Sequence, residues 1–414
     1  MQRRCAGAAL AVALWSVCGG ASQAAADPDE VQKLRSELQQ TRDELDTTRE
    51  ELHDAKSSLF DLGQRVDALQ AGATPAATPA SSARLLPVNA DNPAISFVVD
   101  TTFMWDYDQG VDFALRSGEL FLSAPIDPFL RGWATLNGSS EEGFDIEEAA
   151  VVTTALPWNL TLTGGRFFAD VGRLSHWHDE ALPFTDRPPS LERIIGGESG
   201  AEGLQFSWLA PTDLFIQLTG GLYNSIGNER REALAEDGFE GQRGWGELTY
   251  LLHPSTYVDL SDTWNLEAGG TYATSPKNNR RNLWGVDVTL RHQPGTSGVY
   301  QGLVLGAEWL WNRETFQEMG GGSRRFHRDG GYAYLEAYFA RRYSAGGRFD
   351  LSEEIEGPRD QQRSYSAFVT WMPSEFQRLR LQGDYVDGMG WNDQRVTLQW
   401  TAFIGSHKHG FQTR

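Results

Sequence analysis

Two histidine pairs of the same spacing hold most of the chemical potential of this chain. His176 and His178 stand in "LSHWHDEALPF", followed at once by Asp179 and Glu180, and His407 and His409 stand in "GSHKHGF". An H-x-H pair on an extended segment turns both imidazoles to one face. With the adjoining carboxylates as oxygen donors, His176, His178, Asp179, Glu180, His407 and His409 are the candidate ligands of a first-row ion such as Zn²⁺. A metal needs three or four converging donors, so two neighbours alone leave an alternative open, that of polar groups lining a pore or its mouth. A neutral imidazole is required for ligation, and binding should weaken as pH falls through about 6.5. There is no phosphate loop, no dinucleotide fingerprint and no recognisable nucleophile–base frame. Ser175 and His176 are neighbours, and on a strand they would point to opposite faces. No enzyme activity, no organic cofactor and no nucleic-acid partner are expected.

What positions these residues depends on the object the chain makes. Residues 1–26 begin with Arg3 and Arg4, continue as an apolar run and end on small residues, the layout of a secretory signal peptide. Both cysteines, Cys5 and Cys18, lie within it, so the mature chain would use no disulfides. Over residues 27–71, Val31, Leu38, Leu45, Leu52, Leu59 and Val66 recur every seven residues with charged flanks. That narrow seam predicts an α-helical coiled coil and a homo-oligomer, dimer or trimer. Residues 72–91, "AGATPAATPASSARLLP" and its flank, form a Pro/Ala/Ser linker.

From residue 92 to 405 no helical period persists, and short segments alternate polar and apolar residues. In "RVTLQWTAFIG", Val396, Leu398, Trp400, Ala402 and Ile404 share one face, with Thr397, Gln399 and Thr401 on the other; "YAYLEAYFA" behaves alike. A water-soluble sandwich can alternate this way too; the connections separate the two. Short Pro/Gly-marked turns ("SAPIDP", "ALPWN", "LAPTD", "LHPST", "HQPGTSG", "YSAGG", "WMPSE") alternate with longer polar loops ("NGSSEEGFD", residues 170–202, "SPKNNRRN", "GPRDQQR" and others). That pattern predicts an all-β, transmembrane antiparallel barrel of about 16 strands in an outer membrane. Trp105, Trp133, Trp158, Trp208, Trp245 and Trp371 stand near strand ends, where interfacial girdles belong. Residues 406–414 form a histidine-containing tail.

With the N-terminus and coil in the periplasm, the short turns are periplasmic and "LSHWHDEALPF" falls in the third outward loop. The run "HWHDEALPFTDRPP" followed by "IIGGESGAEGLQFSWLAPT" resembles a family described as zinc-regulated outer-membrane receptors. The matching residues are His176, His178, Phe184, Asp186, Pro188, Gly196, Gly197, Gly203 and Trp208 to Thr212, with Gly405, His407, His409 and Phe411 at the end. The resemblance spans the barrel and implies transport or expression linked to zinc. By likeness to sixteen-stranded porins it also implies a third loop folded inward to narrow the channel. An energy-coupled receptor needs a globular plug and about twenty-two strands, and only a coil and a linker precede the first strand here. The expected function is therefore a porin-like channel for small solutes or cations, embedded among outer-membrane lipid and lipopolysaccharide. A structural tether acting through the coil and a metal-binding receptor are the alternatives. The net charge of −20 and the acidic "EEGFDIEE" favour cations. Of 36 basic residues only four are lysine, and Arg378 and Arg380 alternate on one face as a possible basic wall facing acids across the constriction.

Overall fold

A computed structural model describes residues 93–140, 143–227, 244–277, 280–294, 301–317, 323–340, 342–353, 361–388 and 390–405. The chain separates into two units, Met1–Arg84 and Leu85–Arg414, and everything described belongs to the second. The signal-peptide, coiled-coil and linker readings and the His407/His409 pair lie outside the described residues.

The strands are β1 (Ala94–Asp106), β2 (Gly110–Pro125), β3 (Leu130–Ser139), β4 (Gly143–Thr153), β5 (Leu160–Phe168), β6 (Gly200–Leu209), β7 (Phe215–Ile226), β8 (Thr249–Asp259), β9 (Trp264–Ser275), β10 (Arg281–His292), β11 (Gly302–Gln317), β12 (Ser323–Phe339), β13 (Tyr343–Glu353), β14 (Gln361–Ser374), β15 (Gln377–Gly388) and β16 (Trp391–Gly405). Each pairs antiparallel with its neighbours in sequence, and β1 closes on β16 from Ser96↔Gly405 to Asp106↔Arg395. The result is a closed sixteen-stranded barrel, as the turn pattern implied. Closure leaves no strand edge unpaired, which a sheet surrounded by hydrocarbon requires.

The alternation is inside-out relative to a soluble sheet. On β16, Leu398 and Trp400 are 41% and 49% exposed on the outer wall, whereas Gln399 and Thr401 are fully buried within. On β12, Leu335 and Phe339 face out while Tyr332, Tyr334 and Glu336 face in. An apolar exterior around a lumen of Arg, Asp, Glu, Gln and Thr is the arrangement of a membrane barrel and excludes the sandwich. Trp105 and Trp245 stand exposed at the long-loop rim, and Trp158, Trp208 and Trp371 at the short-turn rim. Trp133 departs from the expected girdle, because it shares the inward face with Thr135 and packs on the interior apolar cluster.

Three of the anticipated turns are displaced. "LHPST" lies inside β8, with the turn following at residues 260–263; "YSAGG" opens β13; "WMPSE" mostly ends β14. Pro254 misleads because it sits within a strand, where its missing N–H marks a break in the ladder rather than a turn: the β8–β9 register skips from Leu252 to Ser255. Much of "NGSSEEGFD" is likewise strand, and the described part of the acidic "EEGFDIEE" runs along β4.

Outer-wall position makes a stability prediction. Leu398 is central in β16, so Leu398→Arg should destabilise the barrel by about 2–4 kcal/mol, read from urea unfolding in lipid vesicles, with Leu398→Ile close to neutral.

Candidate functional site

The β5–β6 connection, residues 169–199, does not project from the rim but folds into the lumen. β5 has only nine residues, so the chain leaves the wall early, at Phe168, and turns inward. Ala169, Val171, Leu174, Leu182, Phe184, Leu191, Ile194 and Ile195 are all 0–2% exposed. They pack on inward side chains of one sector of the wall, Tyr223, Leu251, Leu283, Leu310, Tyr332, Tyr334 and Phe368. Phe184 meets Tyr334 and Phe368 edge-on at centroid distances of 5.1 and 5.8 Å, with the Arg348 guanidinium 4.5 Å over its ring. A short helix, α1 (Pro189–Ile195), lies against β12 and β13 and ends on Gly196, whose φ of 91° closes the last turn.

A segment taken inside must find partners for its backbone polar groups. Five arginines of the wall provide them. Arg378 donates to the carbonyl of Glu180, Arg380 to those of Leu182 (3.0 Å) and Phe184 (2.6 Å), Arg116 to Thr185, Arg348 to Asp186 (3.0 Å) and Arg281 to Ile194. Arg348 also grips the Asp186 carboxylate at 3.2 and 3.0 Å, and Gln382 donates to it at 2.6 Å. These contacts, against the burial of the Asp186 carboxyl, hold its pKa below the ordinary value. Within the loop, Arg187 gathers the carbonyls of Leu174 and Trp177 and the carboxylates of Asp179 and Glu198. At the loop's entry the polarity reverses: the Glu308 carboxylate accepts from Arg173 N–H at 3.2 Å, and Thr271 Oγ1 from Gly172 N–H at 3.0 Å. Arg378 and Arg380 thus hold the loop, with exposures of 1% and 0%, and are not the open basic wall expected of them.

The chain turns between Leu174 and Trp177, so the two imidazoles of H-x-H part company. His176 lies on one side, 4.0 Å from Asp170. Burial, with nearby Arg173, outweighs Asp170 and lowers its pKa to about 4, leaving the ring neutral. Among the described residues His176 joins no set of three donors. His178 lies on the other side, 3% exposed, with Nδ1 at 3.3 Å from Glu147 and 3.6 Å from Glu119, and Nε2 at 3.3 Å from Glu148. Burial opposes its charge, but Glu147 and Glu119 outweigh burial and hold its pKa well above 6.5. Glu180 is fully buried and offers an oxygen to a Glu119–His178–Glu180 set; a second set is Glu147–His178–Glu198. Within each set the donor atoms lie within 4.8 Å of one another. Asp179 joins neither, being held by Arg187 at 2.7 Å. Ser175 is buried and its hydroxyl donates to the Val171 carbonyl.

Strand alternation alone does not foretell Glu147 and Glu148 together. The β3–β4 register steps from Thr135↔Glu148 to Leu136↔Ile146, so Glu147 is a bulge residue and both carboxylates turn inward. The same device on β2, where Asp100↔Ser117 steps to Thr101↔Leu115, turns Arg116 inward beside Ser117. Between the loop and this β1–β5 sector remains a cavity of about 470 Å³, lined also by β16. Asp112, Glu119, Asp145, Glu147, Asp179, Asp186, Glu192 and Glu198 line it, against Arg116, Arg166, Arg187 and Arg395. Each of these arginines already faces a carboxylate, Asp100, Asp145, Asp179 and Asp186 in turn. The surplus in the cavity is negative.

No family model matches the chain. An uncharacterized protein of Aquifex aeolicus (strain VF5) is 27% identical over 332 residues, covering 71% of this chain and 69% of that one. Solved structures share the fold at low identity. The loop L8 deletion mutant of OmpT, an outer membrane protein of Vibrio cholerae, superposes with a TM-score of 0.51 at 9% identity, covering 76% of this chain and 99% of its own. OmpF of Salmonella typhi, in complex with daunomycin, gives 0.51 at 9% identity over 75% and 97%. An anion-selective porin from Comamonas acidovorans gives 0.50 at 10% over 76% and 99%. The fold is that of the sixteen-stranded porins.

Gly172 makes the docking of the loop testable. Its φ is 57°, and a Cβ there would sit 1.8 Å from Glu308 Oε1. Gly172→Ala should release the loop while the barrel persists, seen as faster hydrogen exchange over residues 173–187 with strand protection retained.

Proposed function

We propose that the protein is an outer-membrane channel passing small cations down their gradient between the inward loop and the β1–β5 sector. One observation carries this reading: four wall arginines, Arg281, Arg348, Arg378 and Arg380, are engaged by the loop's backbone outside the cavity, so the cavity left beside it keeps an excess of carboxylates. A narrow, low-dielectric passage lined by one sign of charge concentrates counter-ions of the other. The porin fold supports a channel. On this reading the N-terminal coil stands in the periplasm and joins copies of the chain, the wall is bathed in outer-membrane lipid and lipopolysaccharide, and chemistry on covalent bonds has no part.

The zinc link suggested by the sequence resemblance gains support at His178 and Glu180. His176 and Asp179 are drawn to other partners, and His407 and His409 are not needed to complete either donor set. Because the carboxylates hold the His178 proton well above 6.5, a metal would compete with it through neutral pH as well. The alternative, an envelope tether acting through the coil, rests on the heptads of residues 27–71 alone.

Planar-bilayer recording of the signal-free protein should give ohmic channels whose reversal potential in a KCl gradient reports preference for K⁺. A chloride preference would place arginines at the narrowest point and refute the route. A variant lacking residues 27–91 should still conduct; a tether would lose its function with the coil. Zinc affinity should keep rising between pH 6.5 and 8, by up to about tenfold per pH unit for one displaced proton, and a plateau above 6.5 in titration calorimetry would contradict the His178 assignment.

A further inference from the structure

We infer that His178 is the shared ligand of a two-position site for a divalent first-row cation, which the ion crosses by exchanging Glu147 and Glu198 for Glu119 and Glu180. This rests on the channel reading and names both the cargo and the step through the loop.

Three observations converge on it. The first is a donor arrangement beyond an acidic cluster. Glu148 Oε2 stands at hydrogen-bond distance from Nε2 of His178 and also accepts from Thr135 Oγ1 at 3.2 Å. A carboxylate accepting from one ring nitrogen fixes the tautomer and leaves the other as the ligand, the usual setting of metal-binding histidine. The second is what faces that other nitrogen. Oε2 of Glu119 and Oε2 of Glu147 are buried and accept no hydrogen bond among the described residues, and both are aimed at Nδ1, 3.6 and 3.3 Å away. Donors around a tetrahedral ion with bonds of about 2.0–2.1 Å lie ~3.4 Å apart, so these spacings need little adjustment. One imidazole with two carboxylates is a donor set for borderline ions such as Zn²⁺, Mn²⁺ or Fe²⁺, rather than for Cu(I) or alkali cations.

The third is the placement of the two sets. Glu119, Glu147 and Glu198 line the cavity, and Glu198 remains 13% exposed there, whereas Glu180 is fully buried and does not line it. The outer set is built wholly from cavity-lining carboxylates, whereas the inner set joins the cavity-lining Glu119 to a Glu180 that the cavity does not reach. Both use the same imidazole, so occupancy is one ion at a time. An ion entering the outer set displaces the proton of Nδ1 into the cavity. It then trades one pair of carboxylates for the other while keeping its bond to nitrogen. Handing on a ligand set in this way avoids ever leaving the ion without charge compensation, which in a dry site would be prohibitive.

The test uses tag-free full chain in detergent, in a His407→Ala/His409→Ala background so that binding reports the loop. Co²⁺ is the probe, followed by calorimetry and by its visible ligand-field absorption. One ion should bind per chain, and His178→Ala should abolish it. Glu119→Gln and Glu198→Gln should each still bind Co²⁺, no more than one of them weakened by as much as about tenfold, and should shift the spectrum differently, because each leaves a different set intact; the double variant should match His178→Ala. If one single variant abolishes binding and the other is silent, there is one position and the exchange step is wrong. If His178→Ala binds Co²⁺ as the parent does, or neither binds it below millimolar, the site is wrong. Retained β-sheet circular dichroism certifies folding of each variant. Conductance of the unmodified protein in KCl with chelator tests the channel separately. A conducting protein that binds no Co²⁺ overturns this inference alone, and Co²⁺ binding with the predicted variant pattern in a non-conducting protein would leave the site standing while removing its role as a step in permeation.

Discussion

The structure depends on how a polypeptide segment can be carried into the lumen of a barrel without losing the hydrogen bonds that water gave its backbone. Each buried carbonyl left without a donor costs about 1–3 kcal/mol, and the loop presents several of them between Glu180 and Ile194. Left unmet together they would rival the whole net stability of a folded domain, about 5–15 kcal/mol. The wall answers with guanidinium groups. Arginine offers five donors on a rigid plane and sheds water more readily than an ammonium, so one side chain can serve two carbonyls from two nitrogens, as Arg281 does for Ile226 and Ile194. Lysine cannot fork in this way. All five wall positions that meet the loop's carbonyls are arginine.

The barrel was legible from period-two alternation and from connections that differ by rim, because both are written locally. The residue pairs that build the site are not. Glu119, Glu147 and His178 come from two strands and a loop, and only folding makes them neighbours. The bulges at Arg116 and Glu147 hid the site further, since strict alternation points one of each adjacent pair at the lipid. The H-x-H motif drew attention to the right loop for an insufficient reason. Spacing along an extended chain says where two imidazoles could point, but the turn at Leu174–Trp177 sends them to opposite sides. The inward loop was expected only through the likeness to sixteen-stranded porins, and the arginine-for-lysine bias did not say what the guanidinium groups would hold.

Several residues of the apparent family motif have architectural duties. Phe184 anchors the loop in the apolar sector, Asp186 receives Arg348 and Gln382, and Gly196 caps α1. Gly203 lies where a Cβ would meet the Leu222 carbonyl at 2.1 Å. Such residues keep the loop inside whatever passes it. Resemblance through them speaks to a shared way of docking the loop more directly than to a shared solute.

Docking also divides the lumen chemically. On the β7–β14 side the loop's leucines, isoleucines and Phe184 close against aromatic and aliphatic wall residues, beside a partly exposed polar group of Asp170, Arg173, His176 and Glu267. On the β1–β5 side the wall is acidic and a cavity survives. The division follows from where the positive charge goes. Arg378, Arg380 and Arg281 turn their donors to carbonyl oxygens, which carry no net charge to cancel theirs in return. Their charge therefore sits at the loop's back, beneath the backbone, while carboxylates such as Glu119, Glu147 and Asp112 face the cavity. The arginines that do face it, Arg116, Arg166, Arg187 and Arg395, each stand against a carboxylate already. A porin-type fold can in principle present either sign at its narrow point. Here the backbone of the loop takes up the basic side, and what is left to meet a solute is acid.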